Sequence, residues 1–267
     1  MQQPLISIIM GTYNAQNAIK ESVRSIEKQT YQNWEFIICD DCSQDATKEI
    51  LDKIAKEDDR IKVIYNSKNE GLAKSLNHCL EYVHGNYIAR MDSDDISLPK
   101  RLEIEMKYLL SNPSVDIVGT NMIVFDENGD RGIMKYPKVV NDEAFLHGNP
   151  FAHPTILAKK KIFTDTGGYS GNIRKTEDLD LWFRVISNGF KGRNISQPLY
   201  KYHVSIKDYK RRSLKVAFEA SNVYWKGYTK LNIPWYRRGH FIKPIVSALL
   251  PHKVMFWYHQ RKLNIKK

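Results

Sequence analysis

The fold is decided by one stretch of the chain, Tyr87-Ile-Ala-Arg-Met-Asp-Ser-Asp-Asp95. An apolar, β-prone run ends there in three carboxylates, those of Asp92, Asp94 and Asp95. A buried strand that carries this much negative charge to its end repels itself unless a cation neutralises it. Mg²⁺ and Mn²⁺ prefer carboxylate oxygens and share their remaining positions with water and substrate phosphates. The stretch therefore predicts a metal and diphosphate site; the alternative is an acidic turn in which Asp94 or Asp95 caps the helix that follows Leu98.

Strand and helix patterns alternate around this stretch. Short apolar runs occur at residues 5–10, 34–39 and 61–65, and a fourth ends at Asp92. A helical pattern follows each of the first three runs. Such β-α units predict an α/β fold, with an open, mostly parallel sheet and helices on both faces.

Polar residues follow each predicted strand, at residues 11–14, 40–41, 66–71 and 92–95. Open parallel sheets bind ligands outside the carboxyl ends of their strands. Neither a Gly-x-Gly-x-x-Gly nor a Walker Gly-Lys-Ser/Thr motif is present. The first half is therefore interpreted as a nucleotide site in which a metal, and not a glycine-rich loop, holds the diphosphate.

Four ordered segments, residues 4–14, 40–47, 69–77 and 91–95, resemble the signatures of family 2 inverting glycosyltransferases with the GT-A fold. The resemblance covers about residues 4–205 and extends to the bacterial surface-polysaccharide type. It implies a Rossmann-like, mostly parallel central sheet flanked by helices. It also implies a nucleotide-sugar donor, most often a UDP-sugar, and Mn²⁺ or Mg²⁺ as the cofactor.

The resemblance also assigns roles to residues at the strand ends. Thr12 and Tyr13 would line the nucleotide pocket, Asp41 would bond the base and Asp92 would hold the ribose. The complete set that it implies for donor binding is Thr12, Tyr13, Asn14, Asp41, Asn69, Gly71, Lys74 and Asp92. The metal ligands that it implies are Asp94, Asp95 and His203, because imidazole is an acceptable Mn²⁺ ligand.

The middle of the chain reads as further strands. Residues 115–125 and 131–136 flank Asn128-Gly129, a strong hairpin signal that predicts a mixed sheet edge. Residues 149–155 then lead into another predicted strand. His153, within this segment, is expected either to contact donor or acceptor or to be structural.

Residues 175–185 carry the second concentration of charge. Apolar residues recur there at helical spacing, and Glu177 and Asp178 fall in the first turn. They either complement the helix dipole or lie at the sugar site. An inverting transfer needs a base for the acceptor hydroxyl, and the family pattern assigns that role to Asp178. Glu177 is a candidate sugar contact, and Trp182 either offers a face to a sugar ring or belongs to the core.

The end of the chain is basic and aromatic. Lys and Arg exceed Asp and Glu by 41 to 30, and residues 208–267 interleave the excess with Trp, Tyr and Phe. The apolar-leaning run at residues 241–258 is interrupted by Pro and Lys, so interfacial helices on anionic lipid are favoured over a bilayer span. We expect three parts: residues 1–97 for the nucleotide sugar, 98–205 for acceptor and catalysis, and 206–267 as a basic helical extension.

These observations predict a cytoplasmic enzyme, peripheral on the inner face of the membrane, that acts on a glycan or lipid-linked glycan acceptor. The start Met1-Gln-Gln-Pro4 lacks the basic region of a signal peptide. Cys39 and Cys42 form a Cys-x-x-Cys, but the two intervening aspartates disfavour a redox role. Two alternatives stay open at this point. One is a nucleotidyltransferase, and the other is a basic nucleic-acid-binding module, although acidic strand ends argue against a nucleic acid partner.

Overall fold

A computed structural model describes residues 3–173, 175–204 and 213–250. The strands are β1 (Ile6–Thr12), β2 (Trp34–Asp40), β3 (Ile61–Tyr65), β4 (Tyr87–Arg90), β5 (Ile96–Ser97), β6 (Ile117–Asp126), β7 (Gly129–Met134), β8 (Val139–Val140), β9 (Leu157–Lys159) and β10 (Gly192–His203). The helices are α1 (Ile19–Glu27), α2 (Thr47–Glu57), α3 (Leu72–Leu80), α4 (Arg101–Ser111), α5 (Asp142–Phe145), α6 (Lys161–Thr166), α7 (Glu177–Ser187), α8 (Leu214–Lys230) and α9 (Lys243–Leu249). Two 3-10 helices, His153–Thr155 and Trp235–Ile242, complete the described elements.

The described strands form one mixed sheet in the order β3-β2-β1-β4-β9-β6-β10-β5. Strands β1 to β4 are mutually parallel where they pair, as predicted. The register places Thr12 opposite Asp40 and Asp40 opposite Tyr65, so the carboxyl ends of β1, β2 and β3 lie level. Polar residues that follow three separate strands are thereby gathered along one edge.

Helices cover both faces of the sheet. Successive side chains of a strand point to opposite faces, so the apolar strands contribute to a core on each side. On β1, Ile9 faces a core that also contains Leu76 of α3 and Trp182 of α7. Ile8 faces the opposite core, which Val23 of α1 helps to fill. The α/β prediction is confirmed.

The predicted hairpin is present, but its position in the sheet differs from the expectation. Strands β6 and β7 pair antiparallel around the turn. However, β6 also pairs with β9 and with β10, so it lies inside the sheet and not at an edge. The sequence pattern misses this because the partner strand β10 lies more than sixty residues further along the chain.

Helix α8 packs on α7 and on the end of α5 through one face. Tyr228 of α8 donates a hydrogen bond to the backbone oxygen of Phe145 at 3.0 Å. The rings of Tyr224 and Tyr228 contact the Phe183 ring of α7 edge-on. Five described residues of the predicted extension therefore belong to the same core as the preceding part of the chain: Val223, Tyr224, Tyr228, Leu231 and Ile233. Residues 206–212 and 251–267 lie outside the described part. No helix among the described residues is both long and apolar enough to cross a membrane.

Gly227 allows α8 to approach α7 closely, and this generates a test. A Cβ at Gly227 would come within 2.2 Å of the Phe183 ring. Helix propensity alone favours Gly→Ala by about 1 kcal/mol, whereas overpacking a core costs roughly 1–3 kcal/mol. We expect Gly227→Ala to lower the free energy of unfolding in urea. Gly239→Ala, where a Cβ meets nothing within 4 Å, is the control, and equal stability of both variants contradicts this packing.

Candidate active site

A buried arginine stands at the centre of the polar edge. Arg90 ends β4 with only 2% of its surface exposed, and its guanidinium pairs with both carboxylate oxygens of Asp92. The Asp92 N–H donates to the Tyr200 hydroxyl at 3.1 Å. Behind this layer, Arg101 donates to the backbone oxygen of Arg90 at 2.9 Å. Asp92 is therefore held at two points by protein groups.

The predicted base-binding residue Asp41 organises the loop that follows β3. Its Oδ1 accepts the Asn66 amide at 2.8 Å and the Glu70 N–H at 2.9 Å, and its Oδ2 accepts the Gly71 N–H at 2.8 Å. Gly71 has φ +93°, a conformation that glycine adopts without strain. Since a carboxylate offers about four lone-pair positions, one position on Oδ2 remains for a ligand.

The three residues predicted after β1 have different surroundings. Thr12 is buried and its hydroxyl has no hydrogen-bond partner among the described residues, whereas Tyr13 is 47% exposed. Asn14 accepts the Gln44 N–H at 2.8 Å and donates its own N–H to Ser43 at 2.9 Å. Asn14 thus ties the β1 loop to the β2 loop.

The remaining predicted donor contacts lie at the start of α3. Asn69 is exposed. Lys74 is also exposed, and its Nζ pairs with Glu70 at 3.3 Å. The structure brings these residues to the same edge as Asp41, but at its solvent side.

The predicted metal residues meet where the connection between β4 and β5 reaches the end of β10. The His203 Nδ1 lies 3.9 Å from Asp94 Oδ2, and both side chains reach solvent. Asp95 is fully buried; its Oδ1 accepts the His203 N–H at 2.7 Å. The alternative in which Asp94 or Asp95 caps a helix is wrong, because α4 begins after Lys100 and has no side-chain cap.

A divalent cation suits the chemistry of this corner, although the described residues contain no complete group of three or more ligands. The Asp95 Oδ2 is buried without a well-aligned hydrogen-bond partner among them. Burial, and then the charges of Asp92 and Asp94, raise the pKa of Asp95 well above its ordinary value. The Asp95 carboxylate is buried, whereas that of Asp94 reaches solvent, and the role of Asp95 as a metal ligand stays a prediction.

Two carboxylates at the start of α7, those of Glu177 and Asp178, are influenced by the buried charge of Arg90. Glu177 is buried and its Oε2 has no hydrogen-bond partner among the described residues. Burial, and then the charge of Asp178, raise the pKa of Glu177 to about 7. Half-buried Asp178 accepts the Asn149 amide at 2.5 Å and the Leu179 N–H at 2.7 Å. Burial raises the pKa of Asp178, while these two donors and the charge of Arg90 act against the rise.

Two predicted sugar contacts are core residues. Trp182 has no exposed surface, and its ring meets those of Phe151 at 5.1 Å and His153 at 5.8 Å between centroids. The expectation that Trp182 offers a face to a sugar is wrong, because core side chains cover the ring. His153 shares a 2.9 Å hydrogen bond with the Tyr169 hydroxyl. Burial, and then the charge of Arg90, lower the pKa of His153 well below its ordinary value, so the ring is neutral and structural.

Sequence reasoning missed Arg90, Tyr200 and Asn149. A signal for Arg90 was available, because a charged residue inside an apolar strand is rarely buried without a partner. The pairing of Tyr200 and Asn149 with Asp92 and Asp178 joins residues 108 and 29 positions apart. No local pattern indicates contacts of this kind.

Comparison with known proteins identifies relatives of this arrangement. The family model described as "Glycosyl transferase family 2" matches residues 7–178, more than half of the chain. The chain is 39% identical to "Putative glycosyltransferase EpsE" of Bacillus subtilis, over 99% of this chain and 96% of that one. It is 35% identical to "O-antigen biosynthesis glycosyltransferase WbnJ" of Escherichia coli, over 79% and 84% of the two chains.

A third relative and a solved structure are also similar. The "UDP-Glc:alpha-D-GlcNAc-diphosphoundecaprenol beta-1,3-glucosyltransferase WfgD" of Escherichia coli is 31% identical over 77% of this chain and 79% of its own. The structure of the mannosyltransferase PcManGT from Pyrobaculum calidifontis, in complex with GDP-Man and Mn²⁺, matches with a TM-score of 0.68 at 15% identity. It covers 99% of this chain and 82% of that chain, and it supports the GT-A fold alone.

The raised pKa of Glu177 generates a stability test. Between the ordinary carboxyl pKa and about 7, the folded chain binds more protons than the unfolded chain, so this residue lowers stability as pH rises. Glu177→Gln removes that penalty. We expect its free energy of unfolding, relative to the unsubstituted protein, to increase by roughly 1–3 kcal/mol from pH 5 to pH 8.

The measurement is urea unfolding at both pH values. Glu21→Gln is the control, because Glu21 also lies in the first turn of a helix but is exposed. If the two variants respond equally to pH, Glu177 is not the buried, protonated group described above.

Proposed function

The chain belongs to glycosyl transferase family 2, and from that premise we propose the reaction that this glycosyltransferase performs. It transfers a sugar from a UDP-sugar to a lipid-linked glycan, with inversion at the anomeric carbon, during assembly of a bacterial surface polysaccharide. Family membership replaces both earlier alternatives, the nucleotidyltransferase and the nucleic-acid-binding module. A related protein named for O-antigen biosynthesis supports the polysaccharide assignment.

One observation carries the proposal: Asp92 at the end of β4 and the two carboxylates of α7 are all under the influence of a single buried guanidinium. Arg90 pairs with Asp92, and its charge also acts on Asp178 and Glu177. A donor at the strand ends and an acceptor hydroxyl at the start of α7 would therefore be neighbours. Proximity of this kind is what a direct displacement needs.

Asp178 takes the acceptor proton in this mechanism. Its Oδ2 is oriented by the Asn149 amide and its Oδ1 by the Leu179 N–H. These bonds stabilise the ionised form that a base requires, and burial keeps the group basic enough to accept a proton. The acceptor oxygen attacks the anomeric carbon while its proton passes to Asp178, and the nucleoside diphosphate leaves.

The nucleotide lies over Asp41 and the loops that it holds together. The free lone pair of Asp41 Oδ2 suits an N–H of a uracil ring. Tyr13 offers an exposed aromatic face next to Thr12, whose backbone oxygen accepts the Asp41 N–H at 2.9 Å. Asn14, Asn69, Gly71 and Lys74 complete the proposed donor site, the first and third by shaping loops. The relative named as a UDP-Glc-dependent enzyme supports uridine.

Asp94 and His203 are the residues that we propose to hold Mn²⁺ or Mg²⁺, with Asp95 below them. Carboxylate and imidazole are suitable donors, and the buried Asp95 carboxylate lies beside the charges of Asp92 and Asp94, so a cation would relieve their repulsion. A bound cation supplies charge neutralisation for the departing diphosphate. A structural neighbour described with GDP-Man and Mn²⁺ is compatible with this assignment.

A surface formed by α8, the Trp235–Ile242 segment and α9 is the proposed membrane contact, and we call it the C-terminal surface. Trp235, Tyr236 and Leu249 on it are 79%, 70% and 69% exposed. Exposed lysines at 226, 230 and 243 lie in the same segments. Arg237 forms an ion pair with Glu143 at 2.8 Å, so its charge is partly neutralised within the protein. Aromatic side chains beside lysines suit the interface of an anionic bilayer, on the cytoplasmic side.

The function is tested by incubating the protein with individual nucleotide sugars and Mn²⁺, and measuring the nucleoside diphosphate released with and without lipid-linked acceptors. The same assay is applied to Asp178→Asn. This change keeps size and most hydrogen bonding, so donor affinity should persist while turnover falls by roughly 10²-fold or more. Absence of release from every donor contradicts the function, and near-normal turnover of the variant removes Asp178 from the role of base.

Asp94→Ala tests the metal assignment. We expect loss of transfer and weaker UDP binding in Mn²⁺, with unchanged or slightly higher thermal stability, because one charge that acts on buried Asp95 is removed. Calorimetric titration with UDP, with and without Mn²⁺, measures the effect. Asp59→Ala, an exposed aspartate between α2 and β3, is the control. Full activity of Asp94→Ala, or of the protein in chelator, contradicts the assignment.

Flotation with liposomes tests the C-terminal surface. We expect the protein to float with anionic vesicles, less at high salt, because each Lys near the surface contributes about 1 kcal/mol and salt screens it. The double variant Trp235→Ser, Tyr236→Ser should float less. Leu110→Ser, which removes a 51% exposed leucine from α4, should not. Equal flotation of all three proteins, or no preference for anionic lipid, contradicts the membrane contact.

A further inference from the structure

Arg90 lies at the centre of the site, but no step of the proposed mechanism assigns a role to it. It is the last residue of β4 and faces the same side of the sheet as Ile88, the side on which α7 packs. Its guanidinium is buried and pairs with Asp92, but its Nε has no hydrogen-bond partner among the described residues. Burying a cation is costly, and one carboxylate partner offsets that cost only in part.

A second buried arginine shows what a purely structural role looks like. Arg101 has no exposed surface, pairs with Glu105 at 3.3 Å within α4, and donates to the backbone oxygens of Arg90 and Ile156. Its contacts are an ion pair along its own helix, two backbone groups and the face of the Tyr200 ring, whose centroid lies 5.1 Å from the guanidinium carbon. Arg90 differs, because its charge acts on ionisable groups from four other elements or loops.

We propose that Arg90 is a positioning residue for the transfer: its buried guanidinium fixes Asp92 on the donor side and supplies the positive charge that the Glu177–Asp178 carboxylates face on the acceptor side. This inference rests on the proposed function and deepens it. The carboxylates approach each other in a buried setting, and the charge of Arg90 acts against the rise in their pKa values that burial causes. Removal of its charge leaves Asp178 protonated, and therefore unable to accept a proton, over a wider range of pH.

Among the described residues, no other group that faces the pair substitutes for Arg90. The other described titratable side chains that act on Glu177, Asp178 or their neighbours are Asp92, Tyr136, Tyr169, Lys175 and Tyr224. Burial raises the pKa of each of these three tyrosines, so they stay neutral over the working range. Asp92 is negative, and Lys175 is exposed, where solvent screens its charge.

The test combines a pH profile with a direct titration. In Arg90→Met, we expect the acidic limb of kcat to move upward by about one pH unit or more, because an adjacent opposite charge ordinarily lowers a carboxyl pKa by that amount. Carbon-13 NMR of labelled Asp and Glu side chains, assigned with Asp178→Asn and Glu177→Gln, should show the same upward displacement without any substrate. Arg90→Lys keeps the charge, so its acidic limb should stay near that of the unsubstituted enzyme while the KM for the donor rises.

Two controls separate charge from stability. Lys175→Met removes an exposed cation that also acts on Glu177, and it should displace the titration far less than Arg90→Met. Arg101→Lys disturbs a buried arginine that pairs elsewhere, and it should lower stability without moving the acidic limb. If Arg90→Met does not fold, the charge-retaining Arg90→Lys is compared with Arg101→Lys.

The outcomes divide clearly. An unchanged acidic limb and unchanged carboxyl titrations in folded Arg90→Met overturn the proposal, as does an upward shift in Arg90→Lys equal to that in a neutral variant. If Arg90→Met does not fold, a donor KM in Arg90→Lys no higher than in Arg101→Lys also overturns it. If the unsubstituted protein transfers no sugar, the proposed function fails, but the NMR titration still decides whether Arg90 controls the carboxylates.

Discussion

The buried ion pair between Arg90 and Asp92 is the interaction on which the site depends. A guanidinium at the end of a central strand is costly to bury, and it stabilises the structure only when carboxylates surround it. Asp92, in the loop after β4, and the carboxylates at the start of α7 provide this compensation. The need to compensate this one charge therefore brings carboxylates from two separate parts of the chain close together.

The pairing of Arg90 with Asp92 also distinguishes the three aspartates of residues 92–95 from one another. Asp92 is paired at both oxygens with Arg90, and its contact with the donor ribose stays a prediction. Asp95 is turned inward to accept the His203 N–H. Asp94 is left at the surface beside His203. Three carboxylates that look equivalent in sequence therefore have three different environments.

Local pattern predicts some of this structure and not the rest. The four β-α strand positions and the polar strand ends were predictable, because periodicity and abrupt polarity changes are local signals. The internal position of β6 was not, because pairing with β10 depends on distant sequence. Trp182 was ambiguous for a similar reason: helical spacing shows that a side chain faces inward, but not whether a ligand or Phe151 lies there.

We propose that Arg90 keeps Asp92 in an ion pair, so that Asp94 and His203, and not Asp92, bind the cation. A crystal of the protein with UDP and Mn²⁺, measured for anomalous scattering of manganese, tests this most directly. The account predicts a manganese peak between the diphosphate, Asp94 and His203, with Asp92 still paired to Arg90. A peak ligated by Asp92, with the Arg90 pair broken, would contradict it.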